Sequence, residues 1–246
     1  MKDFVFVSEI DDGIKRHFLK RGFGLQIKTY KDIPSCEYIS AVFDDGSLDT
    51  KVILSLLNKD FQVYTCNFQR FQKLSIEDIP IAFLPHWVDE EVFYRNENKE
   101  ILFDCFCSLN GNLKLKKAIE ENFNIYSNER NLTKEEKCSL LQSSRIYCHF
   151  GEKDEIAKEV LEAGACGKLV LCNEIPSSNM MEMFLEDGVQ VIIYNGIEDC
   201  IRKMSLHLKD EQGREEIAFK ICRQIKKLHS SKRRAKEILR NNLKIT

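Results

Sequence analysis

Short apolar runs alternate with amphipathic stretches along the whole chain. DFVFVSE reads as a strand, and GIKRHFLKRGF as a helix with Ile14, Phe18 and Leu19 on one face. LQIKTY and YISAVFDDG read as strands, followed by helix TKVILSLLNK, strand QVYTCN, a short helix FQRFQKL and strand IPIAFLPH. The polar, turn-rich WVDEEVFYRNENKE breaks the pattern and reads as a linker. The alternation then restarts with ILFDCFCSL, LKLKKAIEEN, FNIYSN, TKEEKCSLLQSS, RIYCHF, EIAKEVLEAGAC, KLVLCNE, NMMEMFLED and VQVIIYN. Two long amphipathic helices, 198–209 and 213–242, finish the chain. Strands separated by helices of about ten residues imply right-handed βαβ units around parallel sheets. The expectation is therefore an α/β protein of two Rossmann-like domains, 1–95 and 96–246, whose parallel sheets face across a cleft.

Composition changes this picture little. The chain has 246 residues, 43% hydrophobic and 31% charged, within the ordinary range for a soluble globular protein. It has no apolar run of 18 residues for a spanning helix, and its first residues lack the apolar core of a signal peptide, which together imply a cytoplasmic location. The ten cysteines are scattered without a CxxC pair and are expected to be reduced core residues. The net charge of −2 conceals an asymmetry: residues 202–246 carry 14 Lys and Arg against 5 Asp and Glu, leaving about −11 elsewhere. Such a basic C-terminal helix either contacts an anionic membrane peripherally or is a solvated helix face. A pI near 6.3 without an aromatic-basic patch argues against general nucleic-acid binding. The first strand is followed by DDG, with no GxGxxG for a dinucleotide.

Candidate chemistry concentrates at residues 159–171, where a helix ends in the small residues Ala163, Gly164, Ala165 and Gly167 before a buried strand. Gly167 suits a left-handed C-cap. The Glu162 carboxylate either accepts two hydrogen bonds from vicinal ribose hydroxyls or is a solvated side chain at a helix end. On the other domain, acids at strand ends (Asp11, Asp12, Asp44, Asp45) are candidate bases or helix N-caps. His86 in LPHW is a candidate catalytic base or a structural histidine. His149 ends a strand and either contacts phosphate or closes the strand. No HExxH and no DxD after a strand suggests a metal clamp.

Five stretches in order, AFLPHWVDEEVF (82–93), FCSLNGN (106–112), SSRIYCHFGE (143–152), MFLEDGVQVIIYNGIEDCIRKM (183–204) and HSSKRRAKEIL (229–239), resemble the CgeB-like, spore-coat-associated group of the GT-B glycosyltransferases. The resemblance implies transfer of a sugar from a nucleotide-sugar donor to an acceptor hydroxyl of a glycan, protein or lipid-linked molecule. It implies no cofactor and no metal. Carried over by position, Glu162 binds the ribose, Ser108, Asn110 and Lys114 line the diphosphate, and Ala163, Gly164 and Gly167 admit backbone amides to it. His86, Asp12 and Asp45 stand on the acceptor side. The chain departs from that group at three places: Asp154 replaces a longer carboxylate, Glu159 replaces an Arg, and Cys107 replaces a phosphate-side Gly. These departures keep open a second reading, a non-catalytic module of the same fold that partners another transferase.

Overall fold

The structure, a computed structural model, describes residues 3–6, 12–21, 24–27, 39–44, 49–58, 62–109, 112–127, 132–151, 157–173 and 185–243. The chain divides into two compact units, residues 1–89 with 230–246 and residues 90–229. The boundary expected near residue 95 falls after Asp89, and the final helix, expected with the second domain, belongs to the first unit.

The first unit is built on strands β1 (Asp3–Phe6), β2 (Gly24–Ile27), β3 (Ile39–Asp44), β4 (Gln62–Thr65) and β5 (Ala82–Phe83). They form one parallel sheet in the order β2-β1-β3-β4-β5. Helix α1 (Asp12–Leu19) places Ile14 and Phe18 in a cluster with Tyr64 and Leu84. Neighbouring Val63 points to the other sheet face, as strand periodicity requires, and packs with Ile53 and Leu56 of α2 (Thr50–Leu57) and Leu74 of α3 (Phe68–Ile76). Both helices start on a side-chain cap: Asp49 accepts from the Lys51 amide, and Asn67 from the Arg70 amide.

The last helix of the chain closes the Tyr64 face of this unit with Ala235, Ile238 and Leu239. The stretch 213–242 was expected as one helix and is two. The first piece ends at Leu228, and a new helix runs Ser231–Leu243. Ser230 accepts from the Arg233 amide through its hydroxyl, so the Ser-Ser pair at 230–231 restarts the helix by capping it. Val88 and Ser230 bridge in parallel, and the Ser231 amide donates to the Val88 carbonyl at 2.8 Å.

Two buried charges fasten the helices of this unit. Arg16 of α1 meets the buried Asp89 at 2.6 Å. Arg234, also buried, donates through Nε to the Pro85 carbonyl at 2.9 Å and through Nη1 to Glu237 at 2.9 Å. Losing a charged hydrogen bond in a buried setting costs about 1.5–3 kcal/mol, with lost stem packing added. Arg234→Ala is therefore expected to destabilise the first unit by about 2–3 kcal/mol. Trp87, the single tryptophan, packs against this core and reports its unfolding in denaturant. An unchanged Trp87 midpoint would show that the Pro85 bond contributes nothing.

The second unit repeats the plan. Strands β6 (Phe103–Ser108), β7 (Ile125–Ser127), β8 (Ser144–His149), β9 (Leu169–Asn173) and β10 (Ile192–Tyr194) form a parallel sheet in the order β10-β9-β8-β6-β7. One face packs against α4 (Leu113–Glu120) and α7 (Gly196–Lys209) through Leu115, Ile119, Cys200 and Met204. On the other side lie α5 (Lys134–Gln142), α6 (Lys158–Ala165) and α8 (Glu211–Leu228), the final helix above being α9. A capping box starts α5: Thr133 Oγ1 accepts from the Glu136 amide, and the Glu136 carboxylate accepts from the Thr133 amide. The helix expected from NMMEMFLED lies outside the described residues over 179–184. Described cysteines are free thiols, all buried except the half-buried Cys66.

Candidate functional site

In each unit, the first strand lies between the second and third, so the chain's winding reverses there. In the second unit this switch point lies between β6 and β8; in the first, between β1 and β3. At such a point the connections leaving the carboxyl ends of two neighbouring strands diverge and open a crevice, the usual ligand position in doubly wound sheets.

In the second unit the switch-point strands end side by side at Ser108 and His149, which are register partners. The sheet face below α5 and α6 carries an aromatic row: Tyr126 stacks on Phe106 (5.6 Å), Phe106 on Tyr147 (5.8 Å), and Tyr147 on His149 (6.1 Å). A cavity of about 40 Å³ opens there, lined by Phe106, Ser108, Lys137, Leu141, Tyr147 and Glu159. That volume holds one to a few waters, so a nucleotide enters only if side chains at its mouth move.

Lys137 is the chief charge at that mouth. Its Nζ lies 3.0 Å from Glu162 and 3.7 Å from Glu159, two carboxylates one helical turn apart on α6. Glu162 is only 4% exposed. Burial pushes its carboxyl above the usual range, and Lys137 pulls it back. The resemblance puts a cation at position 159 of α6; here α5 supplies one from across the helix pair. Nothing in the sequence pointed to Lys137, which sits 25 residues from its partner on a helix of unremarked polarity.

His149 is buried, and burial holds its pKa below the ordinary histidine value against the pull of Glu159. Its ring is therefore neutral at pH 7 and contributes no charge to a phosphate. Its Nδ1 lies 3.3 Å from Tyr147 Oη, and its carbonyl accepts from Tyr194 Oη at 2.8 Å. Just beyond, Asn173 accepts from the Gly151 amide and donates to the Gly151 carbonyl, fixing the start of the β8–α6 connection.

Other expected donor residues fall differently. Ser108 lines the cavity together with Tyr147. Lys114 is exposed in the first turn of α4, and Asn110 lies outside the described residues. Ala163, Gly164 and Gly167 sit at the carboxyl end of α6, where the helix dipole is negative and disfavours a diphosphate. Gly164 faces α8: a Cβ there would lie 2.5 Å from Ile225 Cδ1 and 2.7 Å from Ile221 Cδ1. Gly167 has φ +71°, and the Lys168 amide bonds the Ala163 carbonyl while the Gly167 amide bonds that of Gly164. This is the expected left-handed cap, closing a Schellman motif. These glycines thus serve packing and capping, a correction to the expectation that they approach phosphate.

In the first unit Asp12 follows β1 and Asp44 ends β3, the two switch-point strands; Asp45 lies outside the described residues. Asp12 is exposed in the first turn of α1, 3.1 Å from Lys15. His86 is half-buried and follows the edge strand β5, three strand spacings from β1, or about 14 Å along the sheet. Asp12 and His86 therefore leave the sheet at separate places.

Residues 96–240, more than half of the chain, match a family model described as glycosyl transferase-like. The chain belongs to this family. It is a glycosyltransferase, transferring a sugar from a nucleotide-sugar donor. None of the curated proteins matches it significantly by sequence. Solved structures with the same GT-B fold include HepE of Anabaena, determined in complex with UDP and glucose, which is 8% identical with TM-score 0.63 and covers both chains fully. AviGT4, a glycosyltransferase involved in avilamycin A biosynthesis, is 11% identical with TM-score 0.63, over 99% of this chain and 98% of its own. A DNA-modifying β-glucosyltransferase is 12% identical with TM-score 0.59, over 99% of this chain and all of its own. Among the described residues of this glycosyltransferase no helix is long and apolar enough to cross a membrane, and no group of three or more His, Cys, Asp or Glu is placed to hold a metal ion.

Proposed function

We propose that the second unit binds a UDP-sugar at the β6/β8 switch point, with Glu162 taking the ribose hydroxyls. The observation that carries this reading is the buried Glu162–Lys137 pair beside the crevice at Ser108. HepE, of the same fold, was solved with UDP, which favours uridine as the base. A carboxylate already desolvated forms stronger hydrogen bonds to incoming hydroxyls than one in water. Lys137, released from Glu162 as the ribose arrives, and Lys114 supply positive charge to the leaving diphosphate. The amino end of α6, which starts at Ala157 without a side chain able to cap it, adds amide donors. On this reading transfer needs no divalent cation and no cofactor. The first unit takes the acceptor, and its switch point favours Asp12 and Asp45 over His86 as the base that removes the hydroxyl proton. The five ordered motifs support membership of the CgeB-like group.

The test is thermal unfolding with UDP, GDP, CDP, dTDP and their sugars, with and without EDTA. Ligand at 100 times Kd adds about 2.7 kcal/mol, so Tm is expected to rise by roughly 5–10 °C with uridine nucleotides, EDTA making no difference. Glu162→Gln, nearly isosteric, is expected to lose that rise while keeping its fold. No rise with any nucleotide at millimolar concentration would overturn the donor reading.

A further inference from the structure

A second hollow of the second unit carries none of the donor residues. It measures about 1020 Å³ and lies between segment 94–98 and the carboxyl half of α8. Its wall includes the cations Arg95, Arg223, Lys226 and Lys227 against one carboxylate, Glu97. Arg95 is engaged by Glu97 and Glu215. Arg223, Lys226 and Lys227 make no ion pair among the described residues. Beside them Phe219 is 55% exposed and Tyr94 47%.

Helical spacing explains the arrangement. Ala218, Ile221, Cys222 and Ile225 form the buried stripe of α8, which puts Phe219, Lys220, Arg223, Lys226 and Lys227 on the opposite, outward face. The charge is also sorted along the helix. Glu211, Glu215 and Glu216 stand in the amino half, and the unpaired cations in the carboxyl half. Complementing the helix dipole calls for basic residues in the last turn. It does not call for a half-exposed phenylalanine among them, nor for a second exposed aromatic across the hollow.

We propose that this face of α8 docks the protein on an anionic lipid bilayer. The lipid phosphates are taken by Arg223, Lys226 and Lys227, and the rings of Phe219 and Tyr94 sit at headgroup level. An aromatic amid long basic side chains suits an interface, where the ring leaves water while the cationic heads stay with the phosphates. A duplex or another polyanion without accessible bases would use the charges and leave the rings in water, so against these the rings favour a bilayer. Part of the basic excess of residues 202–246 thus lies on this face of α8, and part on the exposed Lys232, Arg233, Lys236 and Arg240 of α9. In α9, Arg234, Ala235, Ile238 and Leu239 are buried within the first unit.

The experiment is co-sedimentation of the full chain with vesicles of phosphatidylcholine alone, or with 30% phosphatidylglycerol, in about 0.15 M salt. Binding is expected on the anionic vesicles alone and is expected to fall as salt rises. Each basic residue near such a surface contributes roughly five-fold in partitioning, so Arg223→Ala/Lys226→Ala/Lys227→Ala is expected to bind on the order of 100-fold more weakly. Phe219→Ala is expected to weaken binding at unchanged charge. Phe219→Trp is expected to retain it and to shift its emission to the blue on anionic vesicles, over the constant signal of Trp87. Equal sedimentation with neutral vesicles, a triple variant that binds as before, or a short DNA duplex that binds as tightly and ignores Phe219→Ala would each overturn the proposal. UDP-induced stabilisation of the triple variant, expected to be unchanged, separates a failed docking face from a failed donor site.

Discussion

Lys137→Ala is expected to lose about 3 kcal/mol of stability at pH 7.5, because it strands the Glu162 carboxylate in a buried site without its cation. The pH dependence carries the sign of the effect. Burial already makes folded Glu162 hold its proton to a higher pH than the unfolded chain does. Between the unfolded pKa and the raised folded one, the folded state binds more protons, so stability falls as pH rises through that window. Removing Lys137 takes away the main opposing influence and extends the window toward neutrality. The variant should therefore recover part of its loss on acidification to about pH 5, and Lys137→Ala/Glu162→Gln should recover most of it at any pH. Circular dichroism in urea at several pH values measures this. A variant as stable as the parent, with a flat pH profile, would mean that Lys137 and Glu162 are not coupled.

The second large effect concerns the contact of α6 with α8. A methyl at position 164 would come within 3 Å of two isoleucine side chains that are themselves buried. Gly164→Ala is expected to cost about 1–3 kcal/mol by overpacking, lowering Tm by roughly 5 °C, and Gly164→Val to cost more. Since Ile225 Cδ1 is the nearest atom, Ile225→Val relieves the tighter of the two contacts and leaves that with Ile221. The double variant Gly164→Ala/Ile225→Val should be more stable than the sum of the two single changes predicts. Simple additivity would show that the helices separate instead of colliding.

These two positions also mark where sequence reasoning succeeds and stops. Strands such as RIYCHF and KLVLCNE are legible because both faces of a parallel sheet are covered, leaving near-continuous apolar runs. Gly167 was legible as a cap, since a helix running into a strand across one glycine has few other conformations. Gly164, three residues earlier, carries no such local cue; a small residue that admits a neighbouring helix resembles one that admits a ligand. Lys137 was invisible because its meaning comes from a partner on the next helix. The break between α8 and α9 did leave a trace in Ser230 and Ser231, the cap that restarts the helix, but the apolar period runs across it almost undisturbed. The buried neutral state of His149 follows from strand pairing and stacking, which no local pattern encodes.

The assignment of α9 to the first unit bears on how this chain matures as it is made. A protein chain emerges from its amino end at about 5–20 residues per second, and domains ordinarily condense in that order. Here residues 90–229 form a continuous stretch and can close their core once they have emerged. The earlier-made residues 1–89 must wait for Ala235, Ile238 and Leu239 to cover Ile14, Phe18 and Tyr64. Nascent chains stalled with residues 90–229 emerged and the final helix still withheld would expose that apolar face and recruit holdase chaperones, while their second unit was already protected from protease.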